Sequence, residues 1–251
     1  MTQRGETVVV SGGAGSIGRV IVARLAARGL DVLVVGRDGG ALDALAAAVE
    51  GVRPCPADLG DDAAIATVSA RLDRPVRMIA HSVGVPVAGG VLEAPTSALS
   101  GAFNLKVNGV LRLVRAADAR LVKHSRLVAI GGHYGLEPTA YAATAGVGNA
   151  ALVNLSRQLS LAYGPRGVTS HVVAPGPADT DRLRAVAQAR AQRDGVTVEA
   201  TLAAMSAESS LGAFTTPNQV AWIVETLLSP EADAMTGSTL MLDSGRRRGL
   251  P

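Results

Sequence analysis

The chain has 251 residues, 48% of them hydrophobic and 2% aromatic, with a formal net charge of +3. That is enough apolar material for one large domain with a substantial core. A charge this small, without basic stripes interleaved with aromatics, argues against a nucleic-acid partner.

Met1 lies within about six residues of the first strand-like run, leaving no room for a signal peptide. No apolar run is long enough to span a bilayer. Cys55 stands alone, which excludes an internal disulfide and fits a reducing compartment. The expectation is a cytoplasmic protein without a membrane partner. Only Lys106 and Lys123 among the 24 basic residues are lysines, so the position of each carries information. Arg246, Arg247 and Arg248 read as a solvated tail.

Strand-like runs are predicted at 7–11, 31–36, 52–57, 76–81, 127–130, 168–174 and 240–242. Helical patterns are predicted between them at 17–28, 41–49, 62–72, 98–123, 141–163 and 217–228. This alternation predicts an α/β fold: a Rossmann-type, doubly wound, seven-stranded parallel sheet with helices on both faces. One domain spans 1–251. Residues 181–214, helical with a break at Gly195, fall between the last two strands. They read as an inserted substrate lid, with a surface hairpin lacking function as the alternative.

The first strand runs into Ser11-Gly12-Gly13-Ala14-Gly15-Ser16-Ile17-Gly18, and a helical pattern follows. Such a turn brings backbone close to a pyrophosphate at the positive end of a helix. Gly12, Gly15, Ser16, Ile17 and Gly18 are therefore candidate cofactor contacts. Arg37 follows Gly36 at the second strand's end, nineteen residues after Gly18. An acidic group at Gly36 would bind ribose hydroxyls and repel a 2′-phosphate. A fixed cation beside it instead forks onto that phosphate, which points to NADP(H). Asp38 keeps the acidic reading open. After the third strand, Asp58 and Leu59 suit an adenine edge, and a helix N-cap role for Asp58 is equally open.

By these features and its later motifs the chain resembles the short-chain dehydrogenase/reductase family along nearly its whole length. Ala174-Pro175-Gly176-Pro177-Ala178-Asp179-Thr180 resembles the family's Pro-Gly-x-x-x-Thr turn. The resemblance implies that Pro175, Gly176 and Thr180 hold the nicotinamide amide and phosphate. Thr236 to Gly245 is similar to the family's closing strand and turn. Leu211-Gly212-Ala213-Phe214 resembles the segment after the lid in 3-oxoacyl-carrier-protein reductases.

The expected catalytic group departs from the family pattern. His81-Ser82-Val83-Gly84 stands in place of Asn-Asn-Ala-Gly, leaving Ser82 and Gly84 at the cofactor and Ser82 also beside substrate. Lys106 falls at the expected asparagine, between Asn104 and Asn108. Gly132 falls at the expected serine, with His133 and Tyr134 adjacent. Tyr141 matches the catalytic tyrosine, and Ala145 replaces the lysine four residues on. Tyr141, Lys106 and His133 are the catalytic candidates; Tyr134 and Ser82 are the substrate candidates. No cluster has metal-ligand spacing.

The implied function is an NADPH-dependent ketoreductase acting on a bulky, apolar, polyketide-like small-molecule ketone, with a non-standard proton donor. The alternatives are a non-redox enzyme on the same scaffold and an inactive NADP-binding protein. The family resemblance also implies a homo-oligomer formed through the two long helices.

Overall fold

The computed structural model describes residues 5–86 and 89–249. Seven strands form one parallel sheet: β1 (Thr7–Ser11), β2 (Asp31–Gly36), β3 (Val52–Pro56), β4 (Val76–His81), β5 (Leu121–Ile130), β6 (Thr169–Pro175) and β7 (Thr239–Leu242). Their order across the sheet is 3-2-1-4-5-6-7, with every pairing parallel. The chain winds outward from β1 in both directions. The order reverses between β1 and β4, and this switch point opens a crevice beyond the strands' carboxyl ends.

Among the described residues nine α-helices connect the strands: α1 (Gly18–Ala27), α2 (Gly39–Ala48), α3 (Ala63–Ser69), α4 (Thr96–Phe103), α5 (Gly109–Ala117), α6 (Ala143–Tyr163), α7 (Asp181–Asp194), α8 (Val198–Ala207) and α9 (Pro217–Thr226). Alternation along each strand divides the core. Val9, Leu33, Ile79, Leu127 and Val172 face the side that carries α3, α5 and α6. Val8, Val10, Val34, Met78 and Val128 face the side that carries α1 and α9. Both faces are apolar, as a doubly covered parallel sheet requires.

Two stretches differ from the sequence reading. The helix predicted over 98–123 is divided by a π-helical turn at Asn104–Asn108 and ends at Ala117. Leu121 pairs with Val76 instead, so β5 begins six residues ahead of its predicted start. His124 makes this possible by adopting φ 68° at the irregularity. Ser125 then accepts from the Val122 amide at 2.9 Å and donates to the Val76 carbonyl at 2.6 Å. These are tertiary demands with no local periodicity.

The 181–214 excursion leaves and returns at one point. Ala178 bridges Thr215, and the Asp179 amide donates to the Thr215 carbonyl at 2.8 Å. Between them α7 and α8 enclose a small core of Leu183, Ala187 and Met205. Gly195, at φ 67°, closes α7 at the predicted break.

The glycine turn is packed backbone against backbone. A Cβ on Gly18 would lie 2.1 Å from the Gly12 carbonyl oxygen, whereas at Gly164 nothing lies within 4 Å. Gly18→Ala is therefore expected to cost about 2–3 kcal/mol, and Gly164→Ala far less, in denaturant unfolding. Equal stability of the two variants would contradict this packing.

Candidate active site

The switch point is built around one imidazole. Ser11 ends β1 and His81 ends β4, opposite each other in register. Ser11 Oγ donates to His81 Nδ1 at 2.8 Å, and His81 Nε2 donates to the Leu105 carbonyl at 3.1 Å. That pattern needs a neutral ring. Burial, and then the charge of Lys106, push the His81 pKa down to about 3, against the hydrogen bond to Leu105. The ring thus ties the strand feeding the glycine turn to the π-helical turn that carries Lys106.

Beyond this point lies a cleft of about 710 Å³. Gly15, Ser16, Ile17 and Gly18 line one end, and Ser82, Gly84, Pro175, Gly176 and Thr180 line its middle. The Ser82 amide donates to the Ser11 carbonyl at 3.0 Å. A Cβ on Gly12, which has φ 70°, would lie 2.7 Å from the Ser82 carbonyl oxygen. Thr180 caps α7, accepting from the Leu183 amide at 3.4 Å.

Arg37 is exposed and makes no ion pair among the described residues. Asp38 is occupied as the N-cap of α2, accepting from the Ala41 amide at 3.0 Å. Asp58 is exposed and accepts from the Gly60 amide at 2.9 Å, so it caps no helix. The Leu59 side chain is buried in the core, and its carbonyl accepts from Arg112 at 2.7 Å. Leu59 can therefore offer a nucleotide backbone only.

Lys106 also lines the cleft; it is 5% exposed and donates to the Ile130 carbonyl at 3.4 Å. No carboxylate pairs with it among the described residues. Burial, and then the charge of Arg182, lower its pKa from the ordinary 10.5 to about 8. Asn104 and Asn108 bond to each other at 3.1 Å, and Asn104 also accepts from Arg112 at 2.8 Å. Neither asparagine lines the cleft.

Tyr134 and Tyr141 share a short hydroxyl–hydroxyl hydrogen bond, with their rings edge to face. The Arg190 guanidinium, from α7, sits 4.3 Å above the Tyr141 ring centroid. Burial raises the Tyr141 pKa, but the bonds from Tyr134 and Arg190 outweigh it and leave the phenol more acidic than usual. Burial and the same pairing push Tyr134 the other way. Tyr134 therefore keeps its proton while Tyr141 holds its own loosely.

His133 is 4% exposed and stacks under Tyr134, with ring centroids 3.9 Å apart. Burial, and then Arg246, lower its pKa to about 4, so it is neutral at pH 7. His133 supports Tyr134 and does not supply a proton as imidazolium. Arg246 is not part of a solvated tail. It is 8% exposed, donates to the Met205 carbonyl at 2.9 Å and pairs with Glu208, stapling α8 to the closing turn.

A family model described as enoyl-(acyl carrier protein) reductase matches residues 12–247. The chain belongs to the short-chain dehydrogenase/reductase family. It is 29% identical to the 3-oxoacyl-[acyl-carrier-protein] reductase FabG of Escherichia coli (strain K12), over 98% of each protein. The solved structure of BdcA in complex with NADPH is 27% identical, has a TM-score of 0.82 and covers 98% of this chain and 96% of its own. A variant of the actinorhodin polyketide ketoreductase, solved with NADPH, shares the fold, with a TM-score of 0.88 at 24% identity over 98% of this chain and 99% of its own.

Within this short-chain dehydrogenase/reductase, the structure corrects the placement of Tyr141. Tyr141 lies two residues ahead of α6, on the loop, rather than in the helix. The helical i, i+4 pair lining the cleft is Ala145 and Asn149. Asn149 was not singled out in the sequence. It packs against Gly132, where a Cβ would lie 2.8 Å from Asn149 Nδ2, and its Oδ1 is buried without a partner. Its one signal was a polar residue one turn after Ala145 in an apolar stretch. Among the described residues no group of His, Cys, Asp and Glu could hold a metal, and no helix is long and apolar enough to cross a membrane.

The lowered Lys106 pKa has a consequence for stability. Between pH 8 and 10.5 the unfolded chain holds this proton while the folded chain releases it. Stability therefore rises with pH across that window, and below it the buried ammonium is a cost. Lys106→Met is expected to raise the unfolding free energy at pH 7 by up to about 3 kcal/mol. The gain should shrink toward pH 10.5 in denaturant titrations; a variant less stable than its parent at pH 7 would contradict it.

Proposed function

We propose that this chain is an NADPH-dependent ketoreductase. It reduces a carbonyl on a bulky, apolar substrate held beneath the 181–214 lid, and the Tyr134–Tyr141 pair manages the proton. The observation that carries this reading is one continuous cleft joining the glycine turn to the two phenols. The NADPH bound by BdcA and the reductase activity named for FabG support it.

The residues present fit the nucleotide. The Gly12–Gly18 turn leaves room only for backbone, and α1 has no acidic residue in its first turn to repel a pyrophosphate. Arg37 is free for a 2′-phosphate because Asp38 is committed to its cap. Asp58 stands at the adenine end. The orphaned Asn149 Oδ1 would accept from a ribose hydroxyl, and Pro175, Gly176 and Thr180 would flank the nicotinamide amide. When bound, the cofactor supplies the hydride.

The protein's own work is positioning and proton supply. Tyr141, the looser phenol, donates to the developing alkoxide, and Tyr134 stabilises the phenolate left behind. Leu183, Val186 and Met205 line the lid's side of the cleft and exclude water. Phe103 on α4 and Val147 and Leu161 on α6 are exposed apolar residues, in keeping with self-association through these helices.

A second reading is favoured by one observation: α6 presents Ala145 and Asn149 to the cleft, with no titratable group between them. The chain would then bind NADPH without turning it over. NADPH oxidation with a panel of aromatic and polycyclic ketones separates the two. We expect turnover, and a loss of about 10²–10⁴ in kcat/KM for Tyr141→Phe. Tight NADPH binding with no ketone reduced would establish the second reading. Product formed without NADPH consumption would contradict both, pointing to non-redox chemistry.

A further inference from the structure

Among the described residues, every charged side chain lining the cleft is cationic. Lys106 contributes from below, and Arg182, Arg190 and Arg193 from α7; no Asp or Glu lines it. Arg193 is committed, pairing with Asp194 at 2.7 Å. Arg182 donates to the Val85 carbonyl, latching α7 to the loop after β4. Neither Lys106 nor Arg190 has a carboxylate partner among the described residues.

A buried ammonium with three donors and one acceptor at 3.4 Å is under-satisfied. Buried charges are normally paired, because an unpaired ion forfeits its hydration without compensation. Arg190 is half-buried, and its direct partners are the Tyr141 ring and the two phenol hydroxyls, none of them a carboxylate. The nucleotide phosphates are already provided for at the opposite end, by the glycine turn and Arg37. No carboxylate stands on the cleft wall itself, and Asp194, the one that acts on Arg190, is already held by Arg193, so the positive charge beside Leu183, Val186 and Met205 is left in excess.

We propose that the substrate of this site carries a carboxylate beside its apolar body, and that Arg190, backed by Lys106, selects for it. This deepens the ketoreductase reading and rests on it. Arg190 supplies a planar fork suited to a carboxylate, and the two phenols it touches are left to face the carbonyl. Lys106 adds a second positive charge from the π-helical turn, in a low-dielectric setting where it is poorly screened. The lid's aliphatic residues take the ring system.

The test uses binding rather than turnover. 6-Acetyl-2-naphthoate and its methyl ester present the same ketone with and without the negative charge. Each is titrated calorimetrically into the full chain saturated with NADP+, which has no hydride to transfer. We expect the acid to bind at least about tenfold tighter than the ester, and Arg190→Gln to reduce that preference about tenfold. Lys106→Met should reduce it as well. NADPH affinity, measured on the same samples, should stay within about twofold for Arg190→Gln, which also reports that the variant is folded. An acid that binds no tighter than its ester overturns the proposal, as does a preference that survives both substitutions. Failure of NADPH itself to bind would instead strike the ketoreductase reading.

Discussion

A neutral, fully buried imidazole holds the two halves of this molecule in register. His81 accepts from Ser11 at the end of β1 and donates to Leu105 in the π-helical turn. One ring therefore sets the distance between the glycine turn and the segment that presents Lys106. Gly109, the first residue of α5, allows the approach: a Cβ there would lie 2.9 Å from His81 Cε1. Protonating the ring would turn Ser11's hydroxyl from donor to acceptor and add a charge beside Lys106. Burial in the sheet keeps that form out of reach at neutral pH.

The chemistry follows from what this frame leaves out. α6 offers Ala145 and Asn149 to the cleft, so a titratable group has to come from elsewhere. The loop between β5 and α6 brings two such groups to the cleft, Tyr134 and Tyr141, hydrogen-bonded to each other, with Arg190 of α7 packed over Tyr141. Two phenols at hydrogen-bond distance cannot ionise together, so their acidities diverge, and Arg190 decides which one is the weaker holder. Charge on α7 therefore leaves Tyr141 the more acidic phenol. The 181–214 excursion is also fixed at its base, through the Ala178–Thr215 bridge and the bond from Arg246, in the closing turn, to the Met205 carbonyl.

Strand positions, the glycine turn and the 181–214 helical excursion were legible in the sequence because each rests on local pattern: β-branched runs, glycine spacing, a glycine break at 195. Arg37 stands exposed after β2, without an ion pair among the described residues. Asp38, beside it, is the N-cap of α2. The split of the 98–123 helix was not legible, since its apolar spacing continues into Leu121 while the register with Val76 is a tertiary choice. The loop position of Tyr141 was hidden for a similar reason. Residues 141–163 are helix-compatible throughout, and tertiary contacts, Asn149 on Gly132 and Ser156 to Ser170 among them, fix which face turns inward. Arg246 looked like tail because its partners, the Met205 carbonyl and Glu208, lie about forty residues away in sequence.

All of this chemistry requires a phosphorylated, reduced dinucleotide docked along the glycine turn with its 2′-phosphate on Arg37. Calorimetric titration of the full chain with NADPH and, separately, NADH tests that requirement most directly. We predict a single site per chain that takes NADPH at least about tenfold more tightly than NADH. Binding of neither nucleotide, or NADH bound as tightly as NADPH, would contradict it.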